Sequence, residues 1–501
     1  MEFKIRILLA AVLVYFSNNV IYSQEVELSK ASIDQLERGY GMFIHFGLNT
    51  FNEIEWSKGD LPPSSYNPTE LDCDQWVRTA KEAGFRYVIL ITKHHDGFCL
   101  WDSKYTDYDV ASSPVKTDVV SEVAKACKKY GIKLGLYYSL WDRHEPSYKD
   151  TKKYLKYMKN QLTELMTNYG EICELWFDGG WGKKDEEWNL PEVYKYVKKM
   201  QPNCLITVNH TIGWHENRSK VKNPTDFEKG DPIRYFPVDF RIKDPNLAKW
   251  DDPKYYEYDD ELHYLPFEHT ICISDRWNWF QKKNVLAARP LDELESLFYW
   301  CTANNNVMII NIPPDNTGKI RTNERLRILA LADRLGIRGG ETELPSGPIN
   351  KTFNQKITAS SAKEKHPAKY ANDTSLETYW VANDTLADLE IEFDSPTVFD
   401  RVGLFEKGDM KSLGDGFSKI RTFKIKAYEL HYMYKGVWDV LYIGDSIGAC
   451  KIINLPEAIT AEKIKLKITQ ADKNLAISHV EVSLKASGVK RTLKNIVLKN
   501  E

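Results

Sequence analysis

The segment TKHHDGFCLWDSKYTDY, residues 92–108, gathers titratable side chains at the end of one apolar run. The preceding run, RYVILI, has the pattern of a buried strand, and His94 and His95 follow it, flanked by Lys93 and Asp96. Imidazoles and carboxylates at one place can transfer protons or bind a polar ligand. A structural role for each histidine is the alternative. Two adjacent strand residues point to opposite faces, unless a bend or bulge aims both histidines inward.

Asp178 is a second residue that could do chemistry, because it lies between the apolar residues LWF and the segment GGW. A carboxylate in such surroundings is costly to bury without partners, which favours binding or catalysis over a turn. His45 after GMFI, and Tyr137 and Tyr138 after KLGL, also follow apolar runs. A metal site is disfavoured, because the His-His-Asp spacing is not that of a zinc helix motif.

Apolar runs alternate with segments of helical period up to about residue 345. Several helical segments end in Gly before the next apolar run, as in EAGFRY, KYGIKL and NYGEIC, which is a helix C-cap signal. This alternation predicts parallel strands joined by crossover helices, and it favours an α/β fold of the TIM-like (β/α) barrel type. Because the C-terminal ends of barrel strands converge on one mouth, the polar residues above are expected to line one pocket.

The composition argues against a nucleic-acid partner. The 501 residues carry a formal net charge of −3, and charges of both signs are interspersed without a basic block. The 14 Trp and 28 Tyr are a weak indication of sugar binding, since planar side chains stack on sugar rings.

The first 24 residues have the pattern of a secretory signal. Lys4 and Arg6 precede an apolar run over residues 7–16, and small and polar residues follow it. The run is too short for a comfortable membrane span, so we expect no membrane span and export to a periplasm or to the outside. The eight cysteines are scattered singly, which predicts buried free thiols rather than a disulfide framework or a zinc site.

The pattern changes after about residue 345. Short alternating runs such as LEIEF, DRVGLFEK, RTFKIKAYELHY and KIKLKITQ occur there without helical segments. Such a pattern predicts an antiparallel β-sandwich. The predicted organisation is therefore a signal peptide at 1–24, a (β/α) barrel at 25–345 and an all-β sandwich at 346–501.

Five motifs in fixed order carry a family resemblance: GYGMFIHFGLNTFNEIEW, TKHHDGFCLWDSKYTDYDV, GIKLGLYYSLWD, ELWFDGG and NNNVMIINIPPDNTG. Together they resemble the α-L-fucosidases of glycoside hydrolase family 29, over roughly residues 30–340. The resemblance implies a retaining glycosidase in which Asp178, the aspartate of the WFDG motif, is the nucleophile. No cofactor is implied, and the expected partner is a fucosylated glycan.

The resemblance also implies which residues line the fucose pocket. They match the family's motifs residue by residue, and they are His45, Glu55, Trp56, His94, His95, Tyr138 and Trp176. Such groups offer donors and acceptors to sugar hydroxyls and an aromatic face to the ring.

The acid/base residue is less clearly marked, because the family's second carboxylate lies on a variable loop. The segment GDPIRYFPVDF can be laid on the PDiRWvGNE pattern of the 1,3/1,4-specific branch, which places Arg234 at the arginine and Asp239 at the catalytic position. Glu228 is the alternative, because its segment PTDFEKGDP is similar to the TPE-containing loop of the broader branch. Arg234 is expected to bind substrate. Glu268 matches a family glutamate that we expect to bind substrate rather than to act as the acid.

Two finer expectations follow from the resemblance. CISDRWNWF is similar to the SIRpGWF of the specific branch, which implies α-1,3- or α-1,4-linked fucose as substrate. The last third resembles a discoidin-like, coagulation-factor type C jelly roll, a domain that binds carbohydrate or packs against the catalytic domain. Such domains often hold a structural calcium ion, for which Asn372 and Asp373 are the candidate ligands.

Other functions remain as alternatives. A glycan-binding or catalytically lapsed relative would keep the pocket without the acid/base. A glycosidase for another fucosyl linkage or a related sugar such as galactose would keep the mechanism. An unrelated metal-dependent hydrolase on the same barrel is the most distant alternative.

Overall fold

The computed structural model describes residues 25–214, 221–275, 277, 279–280, 287–412, 419–485 and 489–499. The secretory signal predicted for residues 1–24 lies outside these residues. Within them, no helix is long and apolar enough to cross a membrane. All eight cysteines are free and buried, which confirms that prediction.

The first part of the chain alternates between strands and helices. Its strands are β1 Val26–Leu28, β2 Tyr40–Ile44, β3 Tyr87–Lys93, β4 Lys133–Ser139, β5 Ile172–Asp178, β6 Leu205–Val208, β7 Tyr255–Tyr258, β8 Glu261–Tyr264, β9 Glu268–Cys272 and β10 Val307–Asn311. Its helices are α1 Lys30–Arg38, α2 Leu48–Asn52, α3 Cys73–Glu82, α4 Val119–Tyr130, α5 Thr151–Asn168, α6 Leu190–Met200, α7 Leu291–Thr302 and α8 Thr322–Leu335.

Seven of these strands form one curled parallel sheet in the order β6-β5-β4-β3-β2-β10-β9. The segment 239–242 lies between the two edge strands. The Asp239 N–H donates to the Ile206 carbonyl of β6 at 2.8 Å, and the Arg241 N–H donates to the Pro266 carbonyl before β9 at 2.8 Å. Strand ends of the whole sheet therefore face one mouth, as the α/β prediction requires.

Local sequence signals set the ends of the helices. The side chains of Asp72, Asp118 and Asp150 each accept a hydrogen bond from the backbone N–H three residues later, and these bonds cap the first turns of α3, α4 and α5. Gly131 ends α4 at φ +64°, a left-handed conformation in which a glycine carries no steric cost. The repeated Gly signals are thus helix ends, and each places the next strand in the sheet.

Inside the sheet, below the mouth, a buried polar cluster replaces part of the apolar core. Arg38 Nη2 donates to Glu174 Oε1 at 2.6 Å, and Glu268 accepts from the Tyr87 hydroxyl at 2.5 Å and from Trp176 Nε1 at 2.8 Å. Burial and the adjacent charge of Glu174 raise the pKa of Glu268 well above its usual value. Burial also raises the pKa of Glu174, and Arg38 opposes this shift by favouring the charged form of Glu174.

The last part of the chain is antiparallel β-structure, as predicted. Its strands are β11 Lys356–Ala359, β12 Trp380–Val381, β13 Ala387–Glu406, β14 Asp409–Ser412, β15 Lys419–Thr422, β16 Ile425–Tyr434, β17 Val437–Gly444, β18 Lys451–Ala471, β19 Ala476–Ser483 and β20 Ile496–Leu498. The main sheet has the order β12-β19-β13-β18-β16-β17, and β11 pairs with β13. Its apolar residues form a core separate from that of the barrel.

The residues proposed as calcium ligands have other partners. Asn372 donates its amide to the carbonyls of Thr352 and Gln355, and the Asp373 carboxylate accepts from the Ser375 N–H and the Thr378 hydroxyl. These bonds use the side chains of Asn372 and Asp373 to hold the local loop. The two residues therefore do not fit a calcium site. In the described part of the chain, no cluster of three His, Cys, Asp or Glu side chains is arranged to hold a metal.

Contacts between the two parts include polar bonds as well as aromatic packing of Trp250 and Trp300 against Phe353. Arg421 of β15 donates to Asp275 Oδ1 at 2.6 Å and to Glu293 Oε2 of α7 at 2.7 Å. Near the termini, β1 pairs in parallel with β20, so the last strand returns to the barrel. The antiparallel sheet is thereby fixed beside the β9 side of the mouth.

The buried cluster gives a stability prediction. Arg38→Met should lower the free energy of unfolding at neutral pH by about 3–5 kcal/mol, because Glu174 would lose the cation that compensates its buried charge. Urea unfolding of wild type and variant measures the difference. The deficit should shrink as the pH falls, since a protonated Glu174 needs no cation.

Lys125→Met is the control, because it removes a solvent-exposed ion pair with Glu122 and should leave the urea midpoint unchanged. Equal midpoints for wild type and Arg38→Met would contradict the cluster's role.

Candidate active site

The pocket lies at the mouth of the parallel sheet, at the C-terminal ends of its strands. Its charged and hydrogen-bonding side chains come from strand ends and from the segments that follow them: His45, Asn49, Glu55, His94, His95, Tyr137, Asp178, Asn209, His210 and Asp244. Its aromatic side chains are Trp56, Trp141, Trp181, Trp277 and Trp279. The expectation that strand ends build one pocket is met by this arrangement.

Asp178, the last residue of β5, is held by three neutral donors. Oδ1 accepts from the Gly179 N–H at 2.7 Å and from Asn209 Nδ2 at 3.0 Å, and Oδ2 accepts from the Tyr137 hydroxyl at 2.8 Å. Burial raises the pKa of Asp178, while these hydrogen bonds oppose the shift by favouring the charged form. The carboxylate is thus poorly solvated but stabilised, as a nucleophile must be.

Tyr137, and not Tyr138, is the tyrosine of the pocket. The Tyr138 hydroxyl donates to Gln161 of α5 at 2.7 Å and accepts from Lys93 Nζ at 2.9 Å, so its side chain points outward to the helices. Adjacent strand residues point to opposite faces, and Tyr137 is the one that faces inward. The prediction that Tyr138 binds substrate is therefore wrong.

Both histidines of the HHD segment face the pocket. The pairing of β3 with β4 slips between Ile91 and Lys93, and β3 ends before His94, so strand alternation no longer applies. The two imidazole rings lie 4.3 Å apart. The irregular pairing at the end of β3 therefore allows both histidines to face inward, which was one of the two alternatives considered from the sequence.

His95 presents a hydrogen-bond acceptor to the pocket. The Ser139 hydroxyl donates to the Trp141 carbonyl at 2.6 Å, so the 2.6 Å bond between Ser139 and His95 uses a proton on His95 Nδ1. Its Nε2 is then unprotonated and lies 3.6 Å from Asp178 Oδ2. Burial, then the nearby charges of Arg143 and Lys93, lower the pKa of His95 to about 3, which keeps the ring neutral.

The cation below the histidines is neutralised by its own partner. Lys93 Nζ donates to Asp142 Oδ2 at 2.7 Å, and both side chains are fully buried. Burial alone would lower the pKa of Lys93, but the charge of Asp142 raises it above its usual value. This pair supports the turn that carries His94 and His95 without adding a net charge to the pocket.

His45 and the Glu55–Trp56 segment lie at the same mouth as Asp178. His45 Nδ1 bonds Asn311 Oδ1 at 2.9 Å, and burial lowers its pKa well below the usual value. Burial, and then the charge of Asp178, raise the pKa of Glu55 to about 7. Trp56 is 49% exposed and packs near Trp141 and Trp181, with ring centroids 6.0 and 6.4 Å away. An open aromatic rim therefore surrounds a closed polar floor.

Three further predictions for substrate binding differ from the structure. Glu268 and Trp176 bond each other in the barrel interior beneath the pocket, and each is only 1% exposed. Arg234 donates through Nε and Nη2 to Asp185, at 2.8 Å in both cases, so these donors are already used. Glu268 and Trp176 therefore support the pocket from behind, whereas Asp185 holds Arg234 through two of its three guanidinium nitrogens.

Neither carboxylate predicted as the acid/base lies beside Asp178. Asp239 belongs to the segment that closes the sheet, and its side chain accepts from the Tyr194 hydroxyl of α6 and from the Ile206 N–H. It therefore points outward to the helices, and the prediction is wrong because alternation along this segment was not recognised. Glu228 is 82% exposed, with Lys222 at 3.9 Å, so it is surrounded by solvent rather than by the pocket.

Sequence reasoning missed Asn209, His210 and Asp244. Asn209 and His210 directly follow β6, so the strand-end rule could have found both. Asp244 follows the segment 239–242, which no sequence pattern marks as part of the sheet. Burial lowers the pKa of His210 to about 4, although the nearby charge of Asp178 opposes this. The aromatic residues Trp277 and Trp279 were also missed. Their rings lie 4.5 and 5.4 Å from His45.

Several buried polar atoms around the pocket lack a hydrogen-bond partner among the described residues, including Asn49 Oδ1, Thr270 Oγ1, Trp279 Nε1 and Asp244 Oδ1. Buried polar atoms in native proteins are nearly always paired. A ligand with several hydroxyl groups, each able to donate and to accept, would complete them. The pocket is therefore suited to a neutral polyhydroxyl ligand.

Comparison with known proteins gives one family. A family model described as Alpha-L-fucosidase matches residues 17–340. Alpha-L-fucosidase 1 of Arabidopsis thaliana is 30% identical over 470 residues, which cover 91% of this chain and 87% of that protein. Putative alpha-L-fucosidase 1 of Oryza sativa subsp. japonica is 29% identical over 91% of this chain and 84% of its own.

Solved structures are similar over nearly the whole chain. A glycoside hydrolase 29 family member from an unknown rumen bacterium is 26% identical with a TM-score of 0.54, covering 94% of this chain and 79% of that one. A Ruminococcus gnavus GH29 fucosidase in complex with fucose is 22% identical with a TM-score of 0.52, covering 93% of this chain and 97% of that one. The latter supports the fold.

The tyrosine pair gives a matched test of how Asp178 is held. Tyr137→Phe removes a donor to the charged form of Asp178, so the pKa of this carboxyl should rise and a smaller fraction should be ionised at any given pH. Tyr138→Phe removes the adjacent hydroxyl, which faces the helices, and should leave the titration unchanged. Carbon NMR of aspartate labelled at the carboxyl carbon follows the titration, and Asp178→Asn assigns the signal. Equal titration curves for the two variants would refute the assigned contact.

Proposed function

The chain belongs to the α-L-fucosidase family, glycoside hydrolase family 29, and we propose that it is an exo-acting, retaining α-L-fucosidase. Its substrates would be oligosaccharides or glycoconjugates with a terminal α-linked L-fucose. The observation that carries the proposal is Asp178, a buried carboxylate held by neutral donors at the floor of a pocket with an aromatic rim. No nucleic-acid partner is proposed.

Asp178 would attack the anomeric carbon in the first step. Its Oδ2 makes one hydrogen bond, to the Tyr137 hydroxyl, whereas Oδ1 makes two, so Oδ2 has the freer lone pair. The attack gives a β-linked fucosyl–enzyme intermediate. Water then attacks the same carbon from the opposite side and releases fucose with its original α configuration.

The neutral histidines would recognise the sugar. The unprotonated His95 Nε2 can accept from a sugar hydroxyl close to Asp178, and Trp279 Nε1 is a donor without a partner in the described part of the chain. Because burial keeps His45, His94 and His95 uncharged, they bind hydroxyls without neutralising the nucleophile. The apolar face of the sugar, including its methyl group, would pack against tryptophan rings.

The linkage that we propose is α-1,3 or α-1,4. The support is the similarity of CISDRWNWF and NIPPDNTG to the motifs of the specific branch. Trp277 belongs to the first of these motifs, and its ring lies 4.5 Å from that of His45. A tryptophan at that position would contact the sugar to which the fucose is attached.

Two further proposals concern the rest of the chain. The antiparallel part would be a discoidin-like domain that packs beside the mouth, supported by its sequence pattern and by the Arg421 contacts. The chain would be exported to a periplasm or secreted, supported by the pattern of residues 1–24. N-terminal sequencing of the mature protein tests the export proposal directly, since an unprocessed Met1 would contradict it.

Release of fucose by wild type and Asp178 variants tests the function. Wild type should hydrolyse 4-nitrophenyl α-L-fucoside and Lewis-type oligosaccharides, and Asp178→Gly should lower kcat by about 10³-fold or more, because the nucleophile is lost. Azide should restore turnover in this variant and give β-L-fucosyl azide. Proton NMR of the first product should show α-fucose from wild type.

Glu228→Gln is the matched control, because this glutamate is solvent-exposed, and its activity should stay within about twofold of wild type. β-Fucose as the first product would contradict a retaining mechanism. A wild-type protein that binds fucosides without releasing fucose would instead support the lapsed, glycan-binding alternative.

A further inference from the structure

The proposed mechanism needs a second carboxyl group close to Asp178. It must protonate the leaving oxygen in the first step and take a proton from water in the second. Asp239 points out of the barrel and Glu228 is solvated, so neither carboxylate singled out by the sequence patterns meets this need. The structure places a different aspartate, Asp244, at the mouth.

Asp244 has a fixed position relative to Asp178. It follows the segment 239–242, which lies between β6 and β9, so it stands at the pocket end of that segment. Its backbone N–H donates to Asn209 Oδ1 at 3.0 Å, and Asn209 Nδ2 donates to Asp178 Oδ1 at 3.0 Å. One amide side chain therefore links the backbone of Asp244 to the carboxylate of Asp178.

The surroundings of Asp244 suit a proton donor. Burial, and then the charges of Asp178 and Glu55, raise the pKa of Asp244 well above its usual value, although Thr270 opposes the shift. The Tyr137 hydroxyl is also within electrostatic reach. The raised pKa favours the protonated form of this carboxyl, which is the form that a general acid needs.

The free oxygen of Asp244 supports the same role. Oδ1 is buried and has no hydrogen-bond partner in the described part of the chain. The Thr270 hydroxyl lies close enough to favour the charged form of this carboxyl, although it too has no hydrogen-bond partner of good geometry in the described part of the chain. A glycosidic oxygen or an attacking water would supply the missing partner.

We propose that Asp244 is the general acid and base of this enzyme, an assignment that rests on the proposed function. In the first step Asp178 bonds to the anomeric carbon while the carbon–oxygen bond to the leaving sugar breaks, and that oxygen takes the proton of Asp244. In the second step the Asp244 carboxylate takes a proton from water, the water oxygen bonds to the anomeric carbon, and Asp178 leaves. Both carboxyl groups return to their starting states.

Glu55 is the competing carboxyl group, because it also lies within electrostatic reach of Asp178. Its segment is held to α2 by the bond from Asn49 Nδ2 to the Glu55 carbonyl, at 3.2 Å. That bond fixes the backbone and leaves the side chain to turn towards the sugar. The backbone of Asp244 is instead linked through Asn209 to the nucleophile, and its buried Oδ1 has no hydrogen-bond partner in the described part of the chain. Both observations favour Asp244.

The dependence of the rate on the leaving group distinguishes a general acid from a residue that only binds or positions the substrate. An activated aryl fucoside needs little acid assistance, whereas an oligosaccharide needs full protonation of its leaving oxygen. Asp244→Asn should therefore lower kcat/KM for a fucosylated oligosaccharide by about 10²–10⁴-fold, and kcat/KM for 2-chloro-4-nitrophenyl α-L-fucoside by less than about tenfold. Azide should restore kcat on the aryl substrate and give α-L-fucosyl azide, because it attacks the β-linked intermediate without needing a base.

Three variants make the result specific. Asp244→Glu keeps the acid and should retain part of the activity on both substrates, which separates lost chemistry from lost folding. Asp239→Asn changes a carboxyl that faces the helices and should affect both substrates equally. Glu55→Gln should weaken both substrates through fucose binding, without azide rescue.

The outcomes separate this proposal from the proposed function. If wild type releases no fucose, or if Asp178→Gly stays active, the function itself fails. If Asp178 is essential but Asp244→Asn loses both substrates equally without azide rescue, Asp244 only positions Asn209 and the proposal is overturned. If the leaving-group dependence and the α-azide appear with Glu55→Gln instead, Glu55 is the acid and base.

Discussion

The burial of one negative charge at Asp178 is the constraint on which the rest of the site depends. A carboxylate removed from water must be compensated, and a salt bridge would compensate it at the cost of its nucleophilicity. The chain instead supplies three neutral donors: a backbone N–H, the Asn209 amide and the Tyr137 hydroxyl. Buried cations nearby have their own carboxylates, as Lys93 has Asp142 and Arg234 has Asp185. The charge of Asp178 is thus stabilised without being cancelled.

Much of the fold could be predicted from local patterns. Strand–helix alternation and the Gly signals after the helices depend on residues that are close together in the sequence. They identify β2 to β5 and α3 to α5. The segment 239–242 was not recognised as part of the sheet, because it is short and bonds its neighbours irregularly, through side chains such as Thr207 as well as the backbone. The contact of this segment with both edge strands therefore depends on tertiary hydrogen bonds, which the hydrophobic period of the local sequence does not reveal.

Two kinds of sequence reasoning led to different positions in the structure: the strand-end rule led to residues at the mouth, and alignment of a variable loop onto a family pattern led to residues away from it. The rule that polar residues at strand ends meet at the mouth found Asp178, His45, His94 and His95. The prediction for Tyr138 was wrong because strand alternation decides which of two adjacent tyrosines faces inward, and it is Tyr137 that does so. Asp239 was chosen by aligning a variable loop onto a family pattern, and such an alignment contains no information about the direction of a side chain. The same strand-end rule, applied to β6 and to the segment 239–242, leads to Asn209, His210 and Asp244.

The three carboxyl groups of the pocket also explain how one residue can be an acid first and a base later. Glu55, Asp178 and Asp244 lie within electrostatic reach of one another, so the charge of Asp178 raises the proton affinity of the other two. When Asp178 forms its bond to the sugar, that charge disappears. The proton affinity of Asp244 then falls just after it has donated its proton, and the resulting carboxylate is stable enough to await the attacking water. The Asn209 bridge keeps both aspartates in place through this exchange, so the chemistry needs a transfer of charge within a rigid site rather than a movement of the chain.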